Sequence, residues 1–386
     1  MTLGNSMLIP VLPIMEKQLK ITSLQVSLLI TIYSIVAIIL IPIAGFLSDE
    51  YGRKKIIIPS LIISGIGGLV SGFASMFLEN PYYLILLGRL LQGIGASGAA
   101  PIVLPLIGDM FKTEEEVSNG LGIIETSNTF GKVLSPILGA LLAAVVWYLP
   151  FFSIPVFSLI SLLLVAFLVK TPKRKQAPLK LKEFIAETKK IFKNQGKFLF
   201  GVFSIGIIIM FVLFAVLFYL SNTLEDQYKI FGIKKGLLLA IPLVSLSISS
   251  FVTGKKIGKN QTTMKWITLL GMLLSGITMF AITLVDSLIT ILFILFINGV
   301  GVGATLPSLD ALITESIKKQ ERGTITAIYS SMRFIGVAAG PPIAAMLMKT
   351  SEKFVFYTMA GFSFAAVILI FITLHPIGKQ RKKEVT

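Results

Sequence analysis

Apolar runs of helical length recur along the whole chain, and this pattern constrains the fold more than any other feature. Eleven runs approach or exceed the ~20 residues that a helix needs to cross a bilayer. They lie at 24–47, 56–77, 83–109, 118–142, 150–169, 198–220, 236–254, 266–285, 288–314, 324–348 and 354–374. With 54% hydrophobic and only 14% charged residues, the chain is predicted to be an all-α integral membrane protein.

A further apolar run at the start, Met1 to Ile14, is only about half a span. At ~1.5 Å rise per residue it reaches about 21 Å, short of the ~30 Å hydrocarbon core. It also lacks the basic region and small-residue cleavage site of a signal peptide. We therefore expect the sequence to begin inside its first helix, with about ten residues missing. The full protein would then have twelve spans.

The basic residues predict the orientation in the membrane. Of 35 Lys and Arg, 25 lie in alternate loops and the C-terminal tail, seven lie in the opposite loops, and three lie inside spans. Because cytoplasmic loops carry the excess of basic residues, both termini are predicted to be cytoplasmic in a multi-pass plasma-membrane protein. The net charge of +16 then reflects topology and attraction to anionic lipids, and no nucleic-acid partner is expected.

A long basic loop divides the chain in two. Residues 170–197 carry ten basic residues, and part of this loop has apolar residues at helical spacing, which predicts a helix lying on the membrane surface. The predicted domains are a six-helix bundle at 1–169 with a partial first helix, this linker at 170–197, a second six-helix bundle at 198–374, and a basic tail at 375–386.

The two predicted bundles repeat each other. Gln92-Gly93-Ile94-Gly95 is followed by Pro101, and Asn298-Gly299-Val300-Gly301 is followed by Pro307, each shifted by 206 positions. Glu116, Gly131 and Pro136 match Glu321, Gly336 and Pro341 at a shift of 205. A six-span repeat is typical of a transporter with two halves around a midplane site.

Several classes of function are disfavoured. One histidine and no cysteine make a His/Cys metal site unexpected, and no phosphate-binding G-x-x-x-x-G-K-[ST] motif is present for an ATP-driven pump. No constellation of catalytic residues is found, so we expect neither an enzyme nor a cofactor.

Three motifs resemble those of the major facilitator superfamily. Gly45-Phe46-Leu47-Ser48-Asp49-Glu50-Tyr51-Gly52-Arg53-Lys54 is similar to the signature of the loop after span two, with Glu50 in place of the usual basic residue. Gly88-Arg89-Leu90-Leu91-Gln92-Gly93-Ile94-Gly95-Ala96 resembles the span-four stretch of proton-coupled drug exporters. Gly131 to Ala140 is similar to the span-five antiporter motif, with Ser135 and Ala140 replacing two glycines. The resemblance implies the major facilitator fold with two six-helix pseudo-repeats.

The resemblance also implies a cytoplasmic gate. An ion cluster of Arg53 with Asp49 and Asp109 would hold helices together when the inner side is closed. The alternative is that these are solvated loop charges that only fix topology. The predicted gate residues are Gly45, Asp49, Gly52, Arg53 and Asp109.

Charges inside spans are costly and are functional hypotheses by default. Arg89, Glu125 and Asp310 are predicted to couple protons. Arg89 could instead be a structural hydrogen-bond hub, Glu125 a structural pair or cargo ligand, and Asp310 an interface charge. Lys132, near mid-membrane, either pairs with a carboxylate or contacts an anionic or zwitterionic substrate. The full set predicted to contact substrate is Lys132, Gln92, Asn128, Asn298 and Arg333, the last with a structural alternative.

Small residues and prolines are predicted to pack and hinge the rocking halves. They are Gly131, Pro136, Gly139, Gly336, Gly340 and Pro341.

These observations predict a secondary active transporter, a monomer whose partners are a small-molecule substrate, protons and membrane lipids. The main interpretation is proton-coupled efflux of amphipathic molecules, with an apolar wall drawn from Phe203, Met210, Phe211, Phe214 and Tyr219. The alternative is a dedicated exporter of an anionic metabolite or metal-chelating molecule such as a siderophore, favoured by Lys132 and Arg89. A non-transporting receptor or scaffold would need neither midplane charges nor repeated gates.

Overall fold

The computed structural model describes residues 2–99, 101–111, 114–169, 181–258, 260–317 and 322–374. Within these ranges the regular structure is helical and no strand is present. The helices are α1 (Thr2–Ser6), a 3-10 turn (Ile9–Val11), α2 (Leu12–Leu19), α3 (Ser23–Tyr51), α4 (Arg53–Phe77), α5 (Tyr82–Ala99), α6 (Val103–Met110), α7 (Glu114–Val145), α8 (Leu149–Leu168), α9 (Leu181–Asp226), α10 (Gly232–Lys256), α11 (Gln261–Ile282), α12 (Leu288–Ser316), α13 (Arg322–Thr350) and α14 (Glu352–Thr373). In this part of the chain, ten helices are long and apolar enough to cross a membrane.

The first segment is longer than the apolar run predicted. It continues as α2 to Leu19 and ends at Lys20, whose φ of 53° is left-handed. Met7, Leu8, Leu12 and Met15 are completely buried. The segment is therefore an integral part of the helical packing, although its regular structure is interrupted between α1 and α2.

The apolar run predicted at 83–109 is divided in the structure. The structure has two helices there, because α5 ends at Ala99 and α6 begins at Val103. Pro101 lies in the interruption, where it can donate no backbone hydrogen bond and clashes with a helical preceding turn. In the second repeat, by contrast, α12 continues through Pro307.

The surface helix predicted in the middle loop runs directly into the following span. Together they form α9, which contains a kink at Gln195, where φ is −127° and ψ is 19°. Residues 170–180 of the predicted linker and the whole tail 375–386 lie outside the described residues. The bend allows the two parts of α9 to take different directions.

The glycines of the repeat make equivalent close approaches in both halves. A β-carbon added to Gly93 would lie 2.6 Å from Tyr33 O in α3, and one added to Gly299 would lie 2.3 Å from Pro242 O in α10. The same carbon on Gly95 would lie 2.4 Å from Ser60 O in α4. On Gly301 it would lie 2.7 Å from the Gly271 carbonyl oxygen of α11. Helix α12 thus packs on α10 and α11 as α5 packs on α3 and α4.

The chain packs as two compact units. One comprises Met1–Leu179, Phe214–Ala240 and Val337–Met346, and the other comprises Lys180–Leu213, Ile241–Gly336 and Leu347–Thr386. Parts of α9, α10 and α13 therefore belong to the first unit, although they follow the linker in sequence. The predicted division into bundles at 1–169 and 198–374 stays a prediction.

Candidate functional site

Arg53 lies between the two carboxylates predicted for the inner gate. Its Nη2 is 2.7 Å from Asp49 Oδ1, and its Nε donates to Asp109 Oδ2 at 3.0 Å. Its Nη1 donates to Ser48 Oγ at 2.7 Å, and the Ser48 hydroxyl donates to the Gly45 carbonyl oxygen at 2.7 Å. The structure thus joins α3, α4 and α6 through one guanidinium.

The turn between α3 and α4 positions this arginine. Gly52 has a φ of 101°, which favours glycine, and Arg53 is the first residue of α4. The next residue, Lys54, donates to the Ala166 and Val169 carbonyl oxygens at the end of α8, where backbone acceptors lack helical partners. Both carboxylates of the gate are 40–45% exposed, so the ion pairs can form and break at modest cost.

A second cluster surrounds Arg89, which is completely buried in α5. Its Nε donates to Leu29 O at 2.8 Å, and its terminal nitrogens donate to the amide oxygens of Asn5 and Gln92. Its guanidinium lies 4.6 Å from the centre of the Tyr33 ring, in the range of a cation–π contact. These contacts are to neutral groups, and they make Arg89 a hydrogen-bond hub between α1, α3 and α5.

A cavity of about 190 Å³ adjoins this cluster within the first unit. Tyr33, Gln92, Ser64 and Ser158 contribute polar atoms to its lining, and Ile154 contributes an apolar wall. The buried Gln92 Nε2 has no hydrogen-bond partner among the described residues. Because a buried donor normally finds an acceptor, this amide can donate to a bound water or molecule in the cavity.

The repeat-related position in α12 is built differently. Asn298 is buried, and its Nδ2 donates to Ser275 Oγ at 2.9 Å and Thr278 Oγ1 at 3.1 Å in α11. Leu295 occupies the place that the shift of 206 assigns to Arg89. Only the first repeat therefore has a buried cation at this position of the pseudo-symmetric pair.

The remaining charges inside spans lie on α7, α12 and α13. Lys132 and Asn128 are partly exposed on α7. The side chain of Glu125 lies outside the described residues. Arg333 Nη1 is 3.7 Å from Asp310 Oδ1, and the guanidinium lies 5.5 Å from the Tyr329 ring centre. The structure thus pairs two residues for which the sequence predicted separate roles.

The small residues predicted to hinge the halves lie at close helix contacts. A β-carbon on Gly139 would lie 2.0 Å from Met7 O, and one on Gly336 would lie 2.1 Å from Ile207 O. Pro136 lies inside α7 and Pro341 inside α13, while Gly131 and Gly340 are buried in the same two helices. The close approaches explain why glycine is needed at 139 and 336.

The residues of the predicted apolar wall are buried in packing contacts. Phe203 stacks on Tyr329 with ring centres 6.2 Å apart, and Phe211 meets Phe362 edge to face at 5.2 Å. All five members are at most 9% exposed. In this structure their contacts are those of core residues.

One charged cluster was missed by the sequence interpretation, which treated Lys17 and Lys235 as loop charges. Lys235 is only 1% exposed and lies 2.8 Å from the buried Glu225, which also accepts from Lys17. Burial of Lys17 lowers its pKa, but hydrogen bonds to Asp226 and Glu225 outweigh this effect and raise the pKa overall. The sequence could not reveal that Lys17 pairs with Glu225 and Asp226, because these residues lie more than 200 positions away along the chain.

The long apolar helices, the repeated glycine contacts and the intramembrane charges define a membrane transporter with two related halves. The chain belongs to the Major Facilitator Superfamily, whose family model matches residues 1–266 and 236–386. This confirms the resemblance and the fold predicted from the three motifs.

Three comparisons place the chain within that family. It is 55% identical over 385 residues to the Bacillibactin exporter of Bacillus subtilis, covering 100% of this chain and 95% of the relative. It is 24% identical to Multidrug resistance protein 2 of Bacillus subtilis, over 99% of this chain and 93% of the relative. The solved human organic anion transporter MFSD10 matches with a TM-score of 0.74 and 16% identity, covering 96% and 98% of the two chains, which shows the fold alone.

Proposed function

We propose that this protein exports an anionic, metal-chelating small molecule such as a siderophore, by alternating access coupled to inward proton movement. The single observation that carries this proposal is the 55% identity to the Bacillibactin exporter over the whole chain. Identity to the drug-resistance relatives is only 22–24% over 92–99% of the chain. The relatives therefore favour the alternative drawn from the sequence over efflux of amphipathic drugs.

The intramembrane cations support an anionic cargo. Arg333 is 22% exposed and Lys132 is partly exposed, so neither cation is fully enclosed by the surrounding helices. The five charged residues predicted inside spans are three cations and two carboxylates, Glu125 and Asp310, so the set carries a net positive charge. Because a charge in a low-dielectric span acts strongly on its surroundings, this excess favours an anion over a lipophilic cation.

Arg89 supports the same cargo indirectly. It is completely buried, so in this conformation it touches no cargo. Arg89 instead donates a hydrogen bond to the side-chain oxygen of Gln92. The Gln92 Nε2 has no partner among the described residues, and Gln92 lines the neighbouring cavity. We infer that Arg89 positions Gln92 at this cavity, and that Asn128, four residues before Lys132 on α7, offers a second polar contact.

Proton coupling is assigned to carboxylates that can change partner. Asp310 is 45% exposed and lies 3.7 Å from Arg333, so protonation of Asp310 would change the charge that faces Arg333. For Glu125 the same role is proposed from the sequence alone, since it precedes Lys132 by seven residues and so shares its face of α7. Because export is coupled to inward proton movement, the proton and the cargo must occupy the site in turn. The proton binds from the outside after the cargo has left and is released inside before the next cargo binds.

The test is transport into everted membrane vesicles with an imposed pH gradient. The probes are bacillibactin and a cationic dye, each supplied to parent protein and to Lys132→Ala. We expect bacillibactin accumulation that collapses with the gradient and falls about tenfold in Lys132→Ala, as expected for loss of a charged hydrogen bond. Lys349→Ala, which removes a lysine from a predicted outer loop, is the matched control and should transport normally.

The outcomes separate the candidates. Dye transport without bacillibactin transport would replace the proposal with the drug-efflux interpretation. Transport of bacillibactin that survives collapse of the pH gradient would contradict proton coupling. No transport of either probe would overturn both.

A further inference from the structure

A buried ion pair lies at the end of the helices that the basic-residue distribution assigns to the outside. Lys235, near the start of α10, and Glu225, near the end of α9, are 1% and 2% exposed. Their Nζ and Oε2 atoms are 2.8 Å apart. Both residues belong to the second sequence repeat, so this pair is internal to one half.

The first repeat docks on this pair through two groups. Lys17 Nζ donates to Glu225 Oε1 at 3.0 Å and to Asp226 Oδ1 at 2.9 Å. From the second repeat, Lys235 Nζ donates to the carbonyl oxygen of Pro10 in the first repeat at 2.8 Å. Two cations and two carboxylates therefore form a neutral cluster across the repeat boundary, entirely within the first compact unit.

Neighbouring contacts close the same boundary. The buried Ser221 hydroxyl donates to Ile9 O at 2.9 Å, and Thr31 Oγ1 donates to Ala338 O at 2.8 Å. A β-carbon on Gly236 would lie 2.7 Å from Pro136 O. Helices of the first repeat thus contact α9, α10 and α13 closely enough to exclude water around Ser221.

We propose that Lys17, Glu225 and Lys235 form a reversible latch that holds the outer gate closed. This inference rests on the proposed alternating-access transport, in which cargo leaves only when the outer ends of the two repeats separate. Separation removes Lys17 from Glu225 and Pro10 from Lys235, while the Lys235–Glu225 pair can stay intact. Neither buried charge is then left without its counter-ion, which would otherwise be strongly destabilising.

The arrangement also makes the latch asymmetric. Lys17 is 55% exposed and leaves to water at little cost, whereas Glu225 and Lys235 remain paired on α9 and α10. On opening, Lys17 therefore moves away from Glu225, while the buried Glu225–Lys235 pair stays in place. This predicts that removing Lys17 loosens the closure without disturbing the helices around it.

The test uses the absence of cysteine in the sequence. Ser221→Cys places one thiol at the buried closure, and a membrane-impermeant maleimide added outside intact cells labels it only when the gate opens. When opening and closing are fast, the labelling rate reports the open population. We expect Lys17→Met in this background to raise the rate about threefold to tenfold.

Three variants control the result. Lys17→Arg keeps the charge and should label near the rate of the Ser221→Cys background. Lys20→Met removes an exposed lysine three residues away and should also leave the rate unchanged. Glu225→Gln leaves Lys235 without its counter-ion and should raise the rate by about tenfold or more.

An unchanged rate in Lys17→Met, or an equal increase in Lys20→Met, would overturn the latch. Because Lys17 is exposed, its variant tests the proposal even where Glu225→Gln fails to assemble. Labelling requires neither cargo nor a proton gradient, so it is independent of the vesicle assay. A chain that fails to transport bacillibactin but shows the labelling pattern keeps the latch and loses only the proposed cargo.

Discussion

Gly93 and Gly299, which are 206 positions apart, lie against equivalent helix backbones. A β-carbon on the first would approach Tyr33 O to 2.6 Å, and one on the second would approach Pro242 O to 2.3 Å. Each contact lies between a span-four or span-ten helix and the second span of its own repeat. The repeat is therefore present in the helix packing as well as in the amino-acid sequence.

This relationship predicts that alanine is harmful at both positions. Gly93→Ala and Gly299→Ala should each destabilise the protein by about 1–3 kcal/mol through overpacking, despite the higher helix propensity of alanine. Thermal unfolding in detergent measures the effect. Gly361→Ala is the control, because a β-carbon there would meet nothing within 4 Å. Equal Tm values for all three variants would contradict the packing argument.

The inner gate makes a prediction about turnover. Asp49→Asn removes the carboxylate that lies 2.7 Å from Arg53, and we expect transport to be abolished while cargo binding persists. Asp109→Asn, which removes the 3.0 Å contact, should weaken transport in the same direction. Vesicle transport and equilibrium binding of bacillibactin measure the two properties separately.

Glu50→Gln is the control for the gate, since it neutralises an exposed carboxylate next to Asp49. Transport by Glu50→Gln at the parent rate, with none by Asp49→Asn, would assign the effect to the Arg53 cluster. Normal transport by Asp49→Asn would instead support the interpretation that these are ordinary topology charges.

Much of the fold could be predicted because apolar length and glycine spacing are local properties of the sequence. Helices α3, α4 and α7 to α14 each cover most or all of a predicted run. The interruption at Pro101 was missed because a proline in a long apolar run can either kink a helix or end it. Pro307 shows the other outcome, since α12 continues through it.

The charged sites were less predictable because their partners are distant in sequence. Asn5, which accepts from Arg89, is 84 positions away, and Glu225 is 208 positions from Lys17. The topology prediction counts Lys235 as a loop charge, and nothing in the sequence indicates that its side chain is buried. Only the three-dimensional structure shows that such a residue is paired across the repeat boundary.

The Arg89 hub predicts a large loss of stability on a conservative change. Arg89→Lys keeps the charge but cannot reach Leu29 O, Asn5 and Gln92 together, because lysine lacks the planar fork of donors. At least one buried acceptor is left unpaired, which should cost about 1–3 kcal/mol. Thermal unfolding checks this, with Arg53→Lys as a comparison: the Arg53 side chain is 12% exposed and its carboxylate partners are 40–45% exposed, so we expect this variant to lose less. Unchanged Tm in Arg89→Lys would contradict the hub and leave only a role for the charge.

The Asp310–Arg333 pair predicts a separation between stability and coupling. At 3.7 Å and 45% exposure of the carboxylate, the pair should contribute about 1 kcal/mol or less, so Asp310→Asn should fold normally. If Asp310 binds the coupled proton, however, the variant should lose about tenfold or more of the export driven by a pH gradient. Glu315→Gln changes an exposed carboxylate five residues further along α12 and should retain coupling. Export by Asp310→Asn with the parent dependence on the gradient would reduce Asp310 to an interface charge. Loss of coupling with retained cargo binding would instead assign the proton step to this pair.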